Sequence, residues 1–124
     1  MAKKILIVDD SRTARLAVIS MLTDRTDLQI FEAQDGNEAL QTLEKNPDVA
    51  LVLSDINMPW LNGLEMVKKI REREDLKNIP ICLLTTESSN ESLSEAKKSG
   101  VNGFLVKPVR KDQLLAIVDN LIDD

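Results

Sequence analysis

At 124 residues the chain is long enough to bury one hydrophobic core and too short to pair a sensor domain with an effector. Hydrophobic residues make up 43% and charged residues 30%, the balance of an ordinary globular protein. Sixteen Lys and Arg against 21 Asp and Glu leave a net charge of −5 with no basic tract, so direct nucleic-acid binding, which needs clustered cations, is not expected.

Residues 4–8 (KILIV) predict a first strand, closed by Asp9 and Asp10. Lys3 and Lys4 ahead of it imitate the start of a signal peptide, but the apolar run is too short for an h-region and the two acids cut it off. No stretch approaches membrane-spanning length, so insertion is not expected and the simplest location is cytoplasmic. Ser11 or Asp10 can cap the helix that follows, in which Ala14, Ala17, Val18, Met21 and Leu22 recur at helical spacing. Leu28 to Ala33 predicts a second strand, and Gln29 and Glu32 give it an exposed, edge-like place. Asp35-Gly36-Asn37-Glu38 reads as a capping box opening a short helix through Leu40 and Leu43. Pro47 keeps that helix from running into the next strand.

The run from Val49, rich in Val and Leu and without alternation, predicts a parallel strand covered on both faces. It ends at Asp55, and Pro59 and Gly63 mark the turn out of the sheet. Trp60, the only tryptophan, is expected in that turn, at the mouth of any site beyond the strand. Leu64, Val67 and Ile70 mark a third helix. Pro80 precedes a strand over Ile81–Thr85. The single cysteine, Cys82, lies within it, so no intrachain disulfide can form and a buried thiol is expected. A helix over 90–99 offers only Leu93 and Ala96 as clear core contacts and stops at Gly100, which predicts that it is weakly held. Gly103 to Val106 predicts the fifth strand, followed by Lys107-Pro108. A last helix carries Leu114, Leu115, Ile117, Val118, Leu121 and Ile122 on a broad apolar face. Five alternations of strand and helix, with no linker or repeat, predict one doubly wound α/β domain with a parallel sheet and right-handed crossovers. The pattern leaves the strand order open.

Open α/β sheets bind ligands beyond the carboxyl ends of their strands. The predicted strand ends there carry Asp9, Asp10, Asp55, Thr85 and Lys107. Singly, each has a structural explanation as a helix cap, a strand residue or a solvated charge. Together at one sheet edge they point to a site. Carboxylates about 4 Å apart at an effective dielectric of about 20 repel by roughly 4 kcal/mol per pair, so this crevice calls for a cation or proton uptake. The chain has no histidine, which excludes zinc held by imidazole. Oxygen ligands with retained waters suit magnesium. A carboxylate nucleophile, a metal, the Lys107 ammonium and the Thr85 hydroxyl are the parts of a phosphoryl-transfer site. A phosphoryl group on Asp55 would draw Thr85 and Lys107 inward through charge-assisted bonds.

Four pieces, in this order and spacing, resemble the receiver domain of two-component response regulators across essentially the whole chain. They are Ile7-Val8-Asp9-Asp10-Ser11, Asp55-Ile56-Asn57-Met58-Pro59 followed by Gly63, Leu84-Thr85-Thr86, and Val106-Lys107-Pro108. The resemblance implies one receiver domain over 1–124 with a flavodoxin-like (βα)5 fold and strand order 2-1-3-4-5. It implies Asp55 as phosphoacceptor, and magnesium held by Asp9, Asp10, Asp55 and the backbone carbonyl of Asn57. Lys107 would contact the phosphoryl group across a cis bond to Pro108. Thr85 and Phe104 would form the switch, with Phe104 acting by packing alone because it lacks a tyrosine hydroxyl. Asn57, Thr86 and Glu87 stand where the family sets phosphoryl lifetime and access. Asn57 and Glu87 match the chemotaxis CheY group, whereas Thr86 is bulkier than the residue often found there.

The implied partners are a sensor histidine kinase or phosphotransfer protein as donor and an output protein that the sequence does not name. The output would be read from the surface of the 90–99 helix, the fifth strand and the last helix. The resemblance also implies a monomeric, stand-alone signalling protein, similar to chemotaxis regulators, that catalyses its own phosphotransfer and dephosphorylation rather than turning over a substrate. A haloacid-dehalogenase-type phosphatase is disfavoured because Asn57 occupies the place of its general acid/base. A flavodoxin-like cofactor binder would need a phosphate cradle where Asp9 and Asp10 stand. An interaction module that takes no phosphate is disfavoured because every expected site residue is present.

Overall fold

The apolar runs become five parallel strands: β1 (Lys3–Val8), β2 (Leu28–Ala33), β3 (Leu51–Asp55), β4 (Ile81–Thr85) and β5 (Gly103–Val106). They lie in the order β2-β1-β3-β4-β5, the order that the family resemblance implies. The structure is a computed structural model and describes residues 2–58, 61–86, 94, 98 and 100–122. Among these residues the helices are α1 (Arg12–Met21), α2 (Gly36–Lys45), α3 (Gly63–Glu72) and α4 (Lys111–Ile122). Of the helix expected over 90–99, only Ser94 and Lys98 are described. Both are helical and exposed, while Leu93 and Ala96 lie outside the described residues, as do Trp60 and Glu87. Among the described residues no helix is long and apolar enough to cross a membrane.

The strand pleat sorts apolar side chains into two layers. Leu6, Val8, Val52, Ile81 and Leu83 face one core with Ala39, Leu43, Met66, Val67 and Ile70 of α2 and α3. Ile5, Ile7, Leu51, Leu53, Cys82, Leu84 and Leu105 face the other, with Val18 and Leu22 at α1 and Leu114, Val118 and Ile122 of α4. Coverage of both faces is why β3 and β4 are buried at every position and read as unbroken apolar runs. β2 is an edge strand in which Gln29 and Glu32 are exposed and only Ala33 is fully buried, as its polar residues suggest. The Cys82 thiol is fully buried, and burial pushes its pKa up to about 12, which leaves it inert.

The helix ends follow local chemistry. Ser11, rather than Asp10, caps α1 by accepting from the Ala14 N–H, and Asp35 caps α2 by accepting from the Glu38 N–H. Glu38 does not complete the expected box; its carboxylate accepts from the Gln34 side chain at 3.3 Å. The full capping box is at α3, where Asn62 and Glu65 bond each other's backbone N–H groups. Arg71 near the end of α3 donates to the carbonyls of Lys77, Ile79 and Gly100 and to Asn102 Oδ1, at 2.8–3.1 Å. That arginine ties α3, the approach to β4 and the turn before β5 into one unit.

Candidate functional site

Parallel register gathers the site. Val8 is opposite Ser54, so Asp9 and Asp55 leave the sheet side by side. Asp55 is opposite Leu84, and Thr85 is opposite Val106, so Thr85 and Lys107 emerge on the other flank of Asp55. Asp9, Asp10 and Asp55 each place a carboxylate oxygen within 4.8 Å of the others. Lys107 Nζ lies 3.3 Å from Asp9 Oδ2 and 3.4 Å from Asp55 Oδ1. The Lys107–Pro108 peptide is cis, as the resemblance implies.

Asp9 and Asp55 are 3% and 8% exposed, whereas Asp10 faces solvent. Burial raises the pKa of Asp55 above the ordinary 3.8; the Lys107 ammonium opposes that rise and the Asp9 charge adds to it. With all three acids ionised, one ammonium leaves two negative charges in excess, the charge of one divalent ion. Every donor in the cluster is a carboxylate oxygen, one side is open through Asp10, and neither histidine nor sulfur takes part. These residues therefore fit a hard cation such as magnesium that keeps part of its water shell.

Thr85 is buried, and its hydroxyl donates to the Thr86 carbonyl at 3.2 Å. Thr86 and Asn57 are exposed at the ends of their strands. Phe104, opposite Leu83 in register, is half-buried against the core that includes α2 and α3. An apolar groove of about 230 Å³ opens beside Asp9 and Lys107, walled by Ala14, Ala17, Met21, Pro108 and Val109. Ala17, which the helical spacing assigns to the apolar stripe, is exposed at the rim of this groove. The fully buried contacts of this helix are instead Val18 and, just past its end, Leu22.

Two residues contribute to the site in ways that the sequence does not show. Gly63 reads as a turn residue, yet its backbone presses on the carbonyl of Asp55, where an added Cβ would stand 2.5 Å from that oxygen. Arg15, a charged residue of α1, bonds the Asp9 carbonyl. Both depend on contacts that chain spacing does not encode.

The sequence profile of the response regulator receiver domain matches residues 5–119. A chemotaxis protein CheY homolog of Campylobacter jejuni is 43% identical over 105 residues, covering 85% of this chain and 81% of that protein. Chemotaxis protein CheY-3 of Vibrio cholerae is 40% identical over 120 residues, covering 97% and 92%. Among solved structures, the chemotaxis response regulator CheY4 of Vibrio cholerae superposes with a TM-score of 0.87 at 38% identity, covering 98% of this chain and 99% of that one. On the strength of these matches and of the five-stranded fold, the chain belongs to the response regulator receiver domain family and is a two-component signalling protein.

Proposed function

We propose that residues 1–124 act as one receiver domain that takes a phosphoryl group onto Asp55 from a sensor histidine kinase or phosphotransfer protein. The observation that carries this reading is the convergence of three carboxylates and Lys107 at one sheet edge, with Asp55 buried between them. A carboxylate oxygen of Asp55 forms the new O–P bond as the donor's bond to phosphorus breaks, and the leaving group takes up a proton. Asp9, Asp10 and Asp55 would hold magnesium, with the Asn57 backbone carbonyl as a further ligand; when bound, the ion neutralises charge on the phosphoryl oxygens.

Lys107 is already poised beside Asp55 and would move its charge onto the phosphoryl group. The Thr85 hydroxyl, now spent on a neighbouring carbonyl, would turn to the same group. Asn57, Thr86 and Glu87 would govern how readily water reaches the acyl phosphate. The apolar groove beside Asp9 and Lys107 gives a donor protein a surface next to the acceptor oxygen.

The decisive experiment is intact mass after incubation with acetyl phosphate and magnesium. Wild type should gain one phosphoryl group and release acetate, while Asp55→Asn should gain none. Equal uptake by the two would sink the assignment.

Phosphorylation would then shift a two-state equilibrium through Thr85 and Phe104 into the surface of the 90–99 segment, β5 and α4. Beryllofluoride, a phosphoryl mimic, should move backbone NMR resonances across 90–106. Shifts confined to the residues beside Asp55 would count against the switch.

A further inference from the structure

Arg15 stands in the second turn of α1, yet its side chain is directed back toward the strand from which the chain came. Its guanidinium donates to the main-chain carbonyl of Asp9 at 2.6 Å and to Glu32 Oε1 of β2 at 3.0 Å. The Arg15 side chain is only 13% exposed, although Glu32 at the outer end of the pair is 44% exposed. Asp9 lies one residue past the end of β1. Its N–H still continues the ladder to the Ala33 carbonyl at 3.1 Å, and its carboxylate accepts from the Ser11 N–H at 2.9 Å. The carbonyl is the remaining degree of freedom, and Arg15 holds it.

That carbonyl belongs to the planar peptide that joins Asp9 to Asp10. Fixing its direction fixes where the Asp10 Cα sits and the side from which the Asp10 carboxylate departs. Asp10 needs such a constraint, because it is exposed and makes no ion pair among the described residues. The forked guanidinium suits this role, since one arm takes the carbonyl and the other is set by Glu32, itself fixed in β2 opposite Ile7.

Resting on the reading of Asp9, Asp10 and Asp55 as magnesium ligands, we infer that Arg15 and Glu32 are positioning residues for the metal site. They orient the Asp9–Asp10 peptide, so that the edge strand β2 takes part in setting magnesium affinity. Their action is geometric rather than electrostatic, since the Arg15 charge is already matched by Glu32. Lysine at position 15 keeps the charge but cannot fork to both partners, so it should not restore affinity.

The test is calorimetric titration of the chelator-stripped full chain with magnesium, below the unfolding temperature of each variant. Arg15→Met and Arg15→Lys should each bind magnesium about tenfold more weakly, the scale typical of residues that orient metal ligands. Glu32→Gln, which retains an acceptor, should lose less, below about the tenfold end of that scale. A purely structural role would lower the melting temperature and leave the affinity of the folded protein unchanged. Wild-type affinity in both Arg15→Lys and Glu32→Gln would therefore overturn the inference, even if Arg15→Met failed to fold. So would full affinity in Arg15→Lys with loss in Arg15→Met, which would show that a single donor to the Asp9 carbonyl suffices and that neither the fork nor Glu32 is needed. Asp10→Asn separates the two levels. If it binds as wild type does, the metal-site reading itself has failed; if it alone loses binding, only the role of Arg15 and Glu32 has.

Discussion

Asp55→Asn is expected to be more stable than wild type in chelator and less stable than wild type in magnesium. Asp55 is 8% exposed and shares its crevice with two other acids. Burial, reinforced by Asp9, raises its pKa in the folded state above the ordinary 3.8 despite Lys107. A carboxyl with a raised folded pKa binds its proton more tightly when folded, so ionising it costs stability. In chelator the wild type should therefore match the variant at pH well below 3.8, where Asp55 is protonated folded and unfolded. It should fall behind as pH rises through the folded pKa, then run parallel. Asparagine keeps the shape without the charge, and Lys107 retains Asp9 as a partner at 3.3 Å, so no ammonium is orphaned.

We expect the variant to lead at neutral pH by about 1 kcal/mol, the usual size of a single-site effect. Magnesium at 100 times its dissociation constant should add about 2.7 kcal/mol to wild type but only about 1.4 kcal/mol to a variant that, short of one ligand, binds about tenfold more weakly, which reverses the order. Denaturant unfolding of both proteins, with and without magnesium at two pH values, reads all of this. A variant already less stable in chelator would mean that Asp55 is not held against its charge.

Much of this arrangement is legible in the chain, and the exceptions have physical reasons. β4 and β5 coincide with Ile81–Thr85 and Gly103–Val106 because short apolar runs bounded by Pro80, Gly103 and Lys107 leave little choice. β3 begins at Leu51 rather than Val49 because the Val49 N–H turns back to the Asn46 carbonyl at 3.2 Å; it is buried without joining the ladder. Ala17 fits a helical stripe by spacing, but α1 packs through a narrower line and leaves it on a groove rim. The acids and Lys107 stand out because polar residues ending apolar strands are visible in sequence. Which strands are neighbours is not visible, since periodicity carries no strand order. The family resemblance supplied it. Arg15 and Arg71 look like any helix cation, and only the fold shows that both donate to main-chain carbonyls.

Gly63→Ala is expected to be the most disruptive small substitution around the site. Gly63 opens α3, and its N–H bonds the Ile56 carbonyl at 2.9 Å, closing the loop that leaves Asp55. A Cβ there would lie 2.5 Å from the Asp55 carbonyl oxygen and 2.9 Å from the Ile56 Cα. Both are backbone atoms, so relief requires moving either the end of β3 or the start of α3. The start of α3 is pinned by the Asn62–Glu65 box and by Met66 and Val67 in the core. The strand end must then yield, and Asp55 with it.

Overpacking of this kind should cost about 3 kcal/mol, or roughly 10 °C in melting temperature for a domain of this size. Gly103→Ala is the matched control. Its added Cβ would meet the Ile117 Cδ1 at 2.6 Å, but that is the tip of a side chain that can rotate away. It should lie within about 1 kcal/mol of wild type, helped by the entropy that a strand glycine loses on folding. If the loop transmits the clash to Asp55, Gly63→Ala should also lose magnesium affinity at temperatures where it remains folded, whereas Gly103→Ala should not. Lost stability with unchanged affinity would place the relief in α3 and show that the glycine serves packing rather than the acceptor carboxylate.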